Sequence, residues 1–340
     1  MAESSDAPRS RMFPSSSARG DVLGWIVQAI SRNALLVVLV LLIVIFSTLL
    51  PSTFPTAFNF RTILSEKSVV ALLALSVLVP LSANQYDLSV GYLLGIVHIL
   101  AIGLQVKNGL PWEAAVVLAI AAAVIVGAVN GLLVTRFKVG SFIATLGTGT
   151  VTYGIGLWYT GGEQVNGILP PAFLAIASAP FGIPFPAIVT AVAALAMWWL
   201  YSYLPLGRYL YVIGDNPRAA ELISIPVQRY LFLCFVASAT LAGLAGVVFA
   251  AELRVGQSAV GPEYLLPAFA AVLFGATSVD PGRVNVWGTI LAVLVLATAV
   301  SGLQQLGAEA YVEPLFNGGM LIFAVAIAAH VGARRQAGGK

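Results

Sequence analysis

Long apolar runs recur from one end of this chain to the other, and no other feature constrains its fold as tightly. They lie at 33–50, 66–83, 88–106, 112–134, 141–160, 184–204, 229–250, 263–279, 285–305 and 312–331, separated by Gly, Pro or charged breaks. A helical run of about 20 residues matches the thickness of a lipid hydrocarbon core. The runs are continuously apolar and do not alternate with period two, so helices are expected and a barrel is not. Composition points the same way: 59% of the 340 residues are hydrophobic and only 9% are charged, against about a quarter charged in a soluble domain. The expected architecture is an all-α, polytopic membrane bundle of about ten transmembrane helices.

The flanks and breaks give the chain its sidedness. Residues 1–19 are polar and rich in Ser, Pro and Arg, a composition that reads as a disordered cytoplasmic tail. Residues 20–32 place Val22, Leu23, Ile26, Val27 and Ile30 at helical spacing, as in a helix lying at the membrane interface. The run from Ala34 is too long for a signal-peptide core and no small-residue cleavage site follows it, so it is expected in the mature protein. If the N-terminus is cytoplasmic, 13 of the 17 Lys and Arg residues fall on inside segments, which favours both termini inside and an even number of spans. Residues 33–331 then form one transmembrane domain, with a cytoplasmic loop at 205–228 and a cytoplasmic tail at 332–340. The largest outward loop, near 161–184, carries no Lys or Arg and suits a short re-entrant or surface helix at 171–178.

Several functions are disfavoured at once. The net charge of +3 is slight and dispersed, unlike a nucleic-acid footprint. Cys234 is the single cysteine, which excludes a disulfide within the chain and a cysteine metal site. His98 and His330 are far apart with no metal partners in sequence, and a lone His98 in a packed helix is expected to be satisfied by a carbonyl or hydroxyl. No Gly-x-x-x-x-Gly-Lys-Ser/Thr phosphate loop occurs, so any ATP hydrolysis is expected on a separate polypeptide.

Against this background the stretch Gly214–Pro226, GDNPRAAELISIP, is unusual. Asn216 is placed to cap a helix, Pro217 suits its first position, and Ala219, Ala220, Glu221 and Leu222 are good helix formers. Pro226 is expected to stop it after little more than two turns. So short a helix is marginal alone in water and calls for something to pack against it. Ala219 and Ala220 permit close approach, Leu222, Ile223 and Ile225 offer apolar anchors, and Arg218 and Glu221 form a charged rim, a pattern suited to docking in a groove of another protein. An amphipathic loop resting on the lipid surface is the competing reading.

The segment GRYLYVIGDNPRAAELISIPVQRY resembles the cytoplasmic loop of the permease subunits of bacterial ABC importers for monosaccharides, the ribose, xylose, arabinose and galactoside group. DLSVGYLLG at 87–95, SFIATLGTGTVTYGIGLWYTGG at 141–162 and VWGTILAVLV at 286–295 also resemble that family, in order along 60–330. The chain departs from the family pattern at NQYDLSVG, at Ser224 where Gly is common, and at Asp280–Pro281 in a usually Gly-rich turn. The resemblance implies an inner-membrane permease working as a dimer, with two ATPase subunits that hold ATP and Mg and a periplasmic or lipid-anchored sugar-binding protein. It also implies that Gly214, Asn216, Pro217, Arg218, Ala219, Ala220, Glu221, Leu222 and Ile223 contact the ATPase.

Candidate pathway residues follow from cost. Asp87 is the acid most deeply set in apolar sequence, and such a group is expensive unless paired, hydrated or facing a cavity. It also suits a cap on the helix starting at Leu88, with Ser89 assisting, and Asn84, Gln85 and Tyr86 then stand at a gate near the cytoplasmic end. Thr145, Thr148, Thr150, Thr152 and Tyr153 share one run with Gly147, Gly149, Gly154 and Gly156, where close helix packing is the default account. Together with Asn130, Gln304, Gln305 and Asn317 these threonines also offer a polar, uncharged route suited to a neutral polyol. The turn Asp280–Arg283 reads as structural, with a lesser claim to touch the ATPase. A permease for branched-chain amino acids or nucleosides, an ion-coupled secondary transporter and an intramembrane enzyme are the rival readings. The last two call for intramembrane charge pairs or a His, Asp and Ser constellation, for which the sequence offers little.

Overall fold

The computed structural model describes residues 33–257 and 259–337, and these fold into a helical bundle. In chain order the helices are α1 (Ala34–Leu49), α2 (Ala57–Ser82), α3 (Ser89–Val106), α4 (Trp112–Thr135), α5 (Ser141–Thr160), α6 (Pro171–Leu174), α7 (Phe185–Tyr203), α8 (Pro205–Asp215), α9 (Pro217–Leu222), α10 (Val227–Leu253), α11 (Leu265–Gly275), α12 (Val286–Gln305) and α13 (Val312–Ala337). Short 3-10 turns cover Ala175–Ala177, Pro180–Gly182 and Gly261–Tyr264. The tail at 1–19, the interfacial helix expected at 20–32 and residues 338–340 lie outside the described residues.

Each of the ten apolar runs holds a helix. Among the described residues, α2, α3, α4, α7, α10 and α12 are long and apolar enough to cross a membrane. The protein is therefore a polytopic helical membrane protein. Boundaries differ from expectation in three places. Helix α2 starts at Ala57 rather than 66, because the Thr56 hydroxyl accepts from the Asn59 amide and the Asn59 side chain holds the Phe54 carbonyl. Polar residues in that first part of α2 interrupt the apolar signal without interrupting the helix. Helix α11 is shorter than the run 263–279, ending at Gly275 in a turn. Helix α13 continues through 332–337, residues assigned above to a tail.

Helix α10 is the hub, packing on α4, α2 and α3, while α5 leans on α3 and α1 on α12. The core is dense in Leu, Val and Ala from α2, α3, α10 and α11. Where α11 meets α12, Gly275 and Gly288 stand backbone to backbone, and a Cβ on either would collide with the other. The segment near 161–184, expected to face outward, does contain a short helix, α6, but Phe173 is fully buried and the segment docks on α10.

Candidate functional site

The break between α2 and α3 is built to keep a carboxylate inside the bundle. Helix α2 ends with Asn84 at φ 53, a left-handed position that Asn tolerates. The Gln85 amide bonds back to the Pro80 carbonyl and the Asn84 amide to that of Leu81, closing the cap. The chain then turns inward, leaving Asn84 and Tyr86 exposed, Gln85 half-buried and Asp87 fully enclosed.

Asp87 Oδ1 accepts from the Ser89 amide at 3.0 Å and the Ser89 hydroxyl at 2.6 Å, satisfying the first amide of α3 as a cap does. Its Oδ2 accepts from the Ser238 hydroxyl of α10 at 2.9 Å. The Ser76 hydroxyl of α2 donates to the Ser238 carbonyl at 2.8 Å. On the other side, Asn130 of α4 donates to Ser89 Oγ at 2.9 Å and accepts from the Thr148 hydroxyl of α5 at 2.5 Å. Thr145 Oγ1 accepts from the Leu88 amide at 3.0 Å, and Ser141 Oγ from the Tyr86 amide at 3.1 Å. One polar chain thus joins α2, α3, α4, α5 and α10 through Asp87. The carboxylate is compensated by hydroxyl and amide donors, as a buried charge must be.

This geometry revises the polar route anticipated from sequence. Asn130 and Thr145 are fully buried; Asn130 bonds Ser89 of α3 and Thr148 of α5, while Thr145 donates back to the Ser141 carbonyl of its own helix and accepts from the Leu88 amide, so both tie the bundle together. Thr152 does not join them; its hydroxyl returns to the Thr148 carbonyl within α5. Thr150 is exposed, Gln304 is exposed and Gln305 binds Asn59 Oδ1 at 2.9 Å, far from the Asp87 cluster along α12. Asn317 stands apart again, beside a cleft at the other end of the bundle. His98 Nε2 accepts from the Gln257 amide at 3.1 Å, and its ring lies 4.9 Å from that of Phe249. It pins the loop after α10 to α3. Among the described residues no group of His, Cys, Asp and Glu is arranged to hold a metal, and Cys234 is enclosed in α10.

The segment after α7 forms two helices rather than one. Helix α8, which the sequence reading treated as loop, begins with Pro205 in its first turn and buries Leu210 and Ile213. Helix α9 then starts as expected, with Pro217 at its first position and Asn216 Oδ1 accepting from the Ala219 amide at 3.1 Å. Its end is not set by Pro226. Ser224 takes a left-handed φ of 63, the Ile225 amide bonds to the Ala220 carbonyl and the Ser224 amide to that of Glu221. This is the cap that usually employs Gly, and it closes α9 after six residues.

The cap also sorts the faces of α9. Ala220 is fully buried and Ile225 nearly so, both facing the bundle rather than a partner. Leu222 and Ile223 point outward, 86% and 66% exposed, and Pro217, Arg218, Ala219 and Glu221 are exposed beside them. Gly214 allows α8 to lie on the end of α2: a Cβ there would stand 2.5 Å from the Ser82 carbonyl oxygen. The Tyr201 hydroxyl meets Ser82 Oγ at 2.8 Å. A second attachment runs to the turn between α11 and α12. Tyr211 donates to the Val284 carbonyl at 2.7 Å, and Arg283 pairs with Asp215 at 3.0 Å and lies over the Tyr211 ring. Burial, with a smaller push from Asp280, drives the Tyr211 hydroxyl up to about 12 against the pull of Arg283, so it remains a donor at neutral pH.

Comparison with known proteins agrees with this architecture. The family model described as branched-chain amino acid transport system / permease component matches residues 59–325. The ribose import permease protein RbsC of Escherichia coli (strain K12) is 34% identical over 310 residues, covering 89% of this chain and 94% of that protein. The ribose import permease protein RbsC of Bacillus subtilis (strain 168) is 34% identical over 84% of this chain and 89% of its own length. The D-allose transport system permease protein AlsC of Escherichia coli (strain K12) is 30% identical over 85% and 89%. A helical bundle with several membrane-crossing helices, matched along most of its length in this way, belongs to the branched-chain amino acid transport system / permease component family.

Proposed function

We propose that this chain is the membrane-spanning permease subunit of an ATP-binding cassette importer that moves a monosaccharide or related polyol across the bacterial inner membrane. It is a transport component and not a catalyst. The observation that carries the reading is α9, a capped helix showing Leu222 and Ile223 outward and joined directly to α8, which is itself fastened inward to α2 and to the α11–α12 turn. Exposed apolar side chains on so short a helix are stabilised by burial in a partner, each by about 1.5–3 kcal/mol. The partner is the ATPase subunit, which carries ATP and Mg. Closure of an ATPase dimer moves α9, and the movement passes through Gly214 and Tyr201 to Ser82, and so to the Asn84–Asp87 break. Differential contact of this kind is what any driven switch between two states requires.

The finer arrangement follows the same reading. Ten helices cross the membrane with both termini on the cytoplasmic side, supported by the 13 inward-lying Lys and Arg residues and by a helix in every apolar run. Two copies of the chain pair around the pathway, two ATPase subunits bind beneath, and a periplasmic or lipid-anchored binding protein delivers the sugar. Proteoliposomes holding the chain, its ATPase and its binding protein test this. Uptake of D-ribose, D-allose or D-galactose is expected only with ATP and Mg; uptake by the chain alone under an ion gradient overturns the reading. The family's own description favours a second substrate class, so L-leucine belongs in the same panel, and its uptake in place of the sugars would select it.

A further inference from the structure

At the end of the bundle away from α8 and α9, a cleft of about 490 Å³ opens between α2, the end of α10, the Gly261–Tyr264 turn, α11 and the start of α13. Its size falls within the range of small-ligand sites. Two independent features mark its lining. Asn317 is only 7% exposed, yet its carboxamide makes no hydrogen bond among the described residues and borders the cleft. The side chain is packed on all sides but this one, so its amide opens onto the cleft and is placed to exchange hydrogen bonds with whatever enters. The second feature is a set of carboxylates. Glu66 and Glu263 line the cleft without partners among the described residues, while Glu313 is held by Lys67 at 2.7 Å, a pair that bridges α13 and α2. Tyr264, whose ring rests on Phe249 at 5.0 Å, adds an apolar wall.

We infer that this cleft is an entry site for a neutral polyhydroxylated substrate, a monosaccharide in its ring form. The assignment rests on the permease reading above. A carboxamide offers donors and an acceptor, carboxylates accept from hydroxyls, and an aromatic face packs against the C–H face of a pyranose or furanose ring. The same carboxylates repel phosphorylated or acidic sugars, so the site rejects as well as recruits. Binding here places substrate against the Lys67–Glu313 bridge, beside α10, the helix that also touches Asp87.

The test uses the assembled transporter. Ala310 lines the cleft and is exposed, whereas the native Cys234 is enclosed, so Ala310→Cys supplies one reactive thiol. With D-ribose, D-allose and D-galactose as probes, the sugar that is transported is expected to slow labelling by a charged thiol reagent about fivefold at Ala310→Cys and not at Ile168→Cys, which lies fully exposed elsewhere. Asn317→Ala is expected to lower uptake about tenfold with ATPase binding unchanged. Should that variant fail to assemble, the exposed Glu263→Gln, expected to weaken protection about threefold, decides the matter. Normal sugar uptake with no protection, or full uptake by Asn317→Ala, overturns the cleft assignment and leaves the permease reading standing. Protection by spermidine and by none of the sugars overturns it in favour of a cation. No ATP-driven uptake of any sugar by the unmodified complex overturns the permease reading, and the entry site with it.

Discussion

The Asp87 cluster and helix α9 are both short polar interruptions of an oily chain, yet they solve opposite problems. Around Asp87 every donor has been turned inward, and one carboxylate holds α3 and α10 together while Asn130 and Thr148 bring in α4 and α5. At α9 the backbone is closed by its own caps, and the apolar side chains are turned outward. The first region derives its stability from within the chain; the second leaves Leu222 and Ile223 uncovered, for the proposed ATPase partner to bury. Interior damage should therefore be read in folding, and damage at α9 in assembly.

The largest effect is expected from Asp87→Ala. It strands the Ser89 amide and the Ser89 and Ser238 hydroxyls, each at about 1–3 kcal/mol when buried, so yield of folded protein in detergent should collapse, as followed by size-exclusion chromatography. Asp87→Asn keeps an acceptor for Ser89 and should retain most folded protein and most uptake. Loss of uptake with normal folding would reveal a role for the charge beyond capping.

Next comes the double change Leu222→Ala with Ile223→Ala. Melting of the isolated permease should be unchanged, while ATPase co-purification falls by at least about a hundredfold, the lower limit for two anchors each worth about 1.5–3 kcal/mol. A fall in melting temperature instead would erase the contrast between the regions. Gly214→Ala is smaller and more diagnostic. Its Cβ forces α8 off Ser82, so ATP hydrolysis by the assembled complex should persist while uptake per ATP drops several-fold. The smallest effect is from Ser224→Gly, which relieves a left-handed φ that costs an L-residue about 1–2 kcal/mol and should slow hydrogen exchange at the Ile225 amide with uptake intact.

Much of this was legible in the residues. Asn216, Pro217 and the Ala-Ala-Glu-Leu stretch announce α9, and Asp87 before Leu-Ser announces a capped start to α3. What escaped depended on backbone twist or on distant partners. Ser224 carries no chemical sign that it will adopt a left-handed conformation, so Pro226 looked like the stop. Helix α8 was readable in principle from Pro205 with Leu206, Leu210 and Ile213 on one face, but its charged and aromatic residues resembled a loop. Ser238, which bonds Asp87, and Asn130, which bonds Ser89 beside it, are distant in sequence, and only packing brings them within reach. Asn317 looked like any other polar residue of a pathway, and only packing shows that it is mostly buried with its carboxamide bordering the cleft.

Helix α10 has one more implication. At 1.5 Å per residue its 27 residues form a rod about 40 Å long, with Ser238 held to Asp87 about 17 Å from one end and about 22 Å from the other. If that bond acts as a fulcrum, a tilt of about 5° shifts the tip nearer α9 by about 1.4 Å and swings the opposite tip by about 2 Å the other way. A nudge smaller than an atom's diameter at one end of the helix would then be returned, slightly magnified and reversed, at the other.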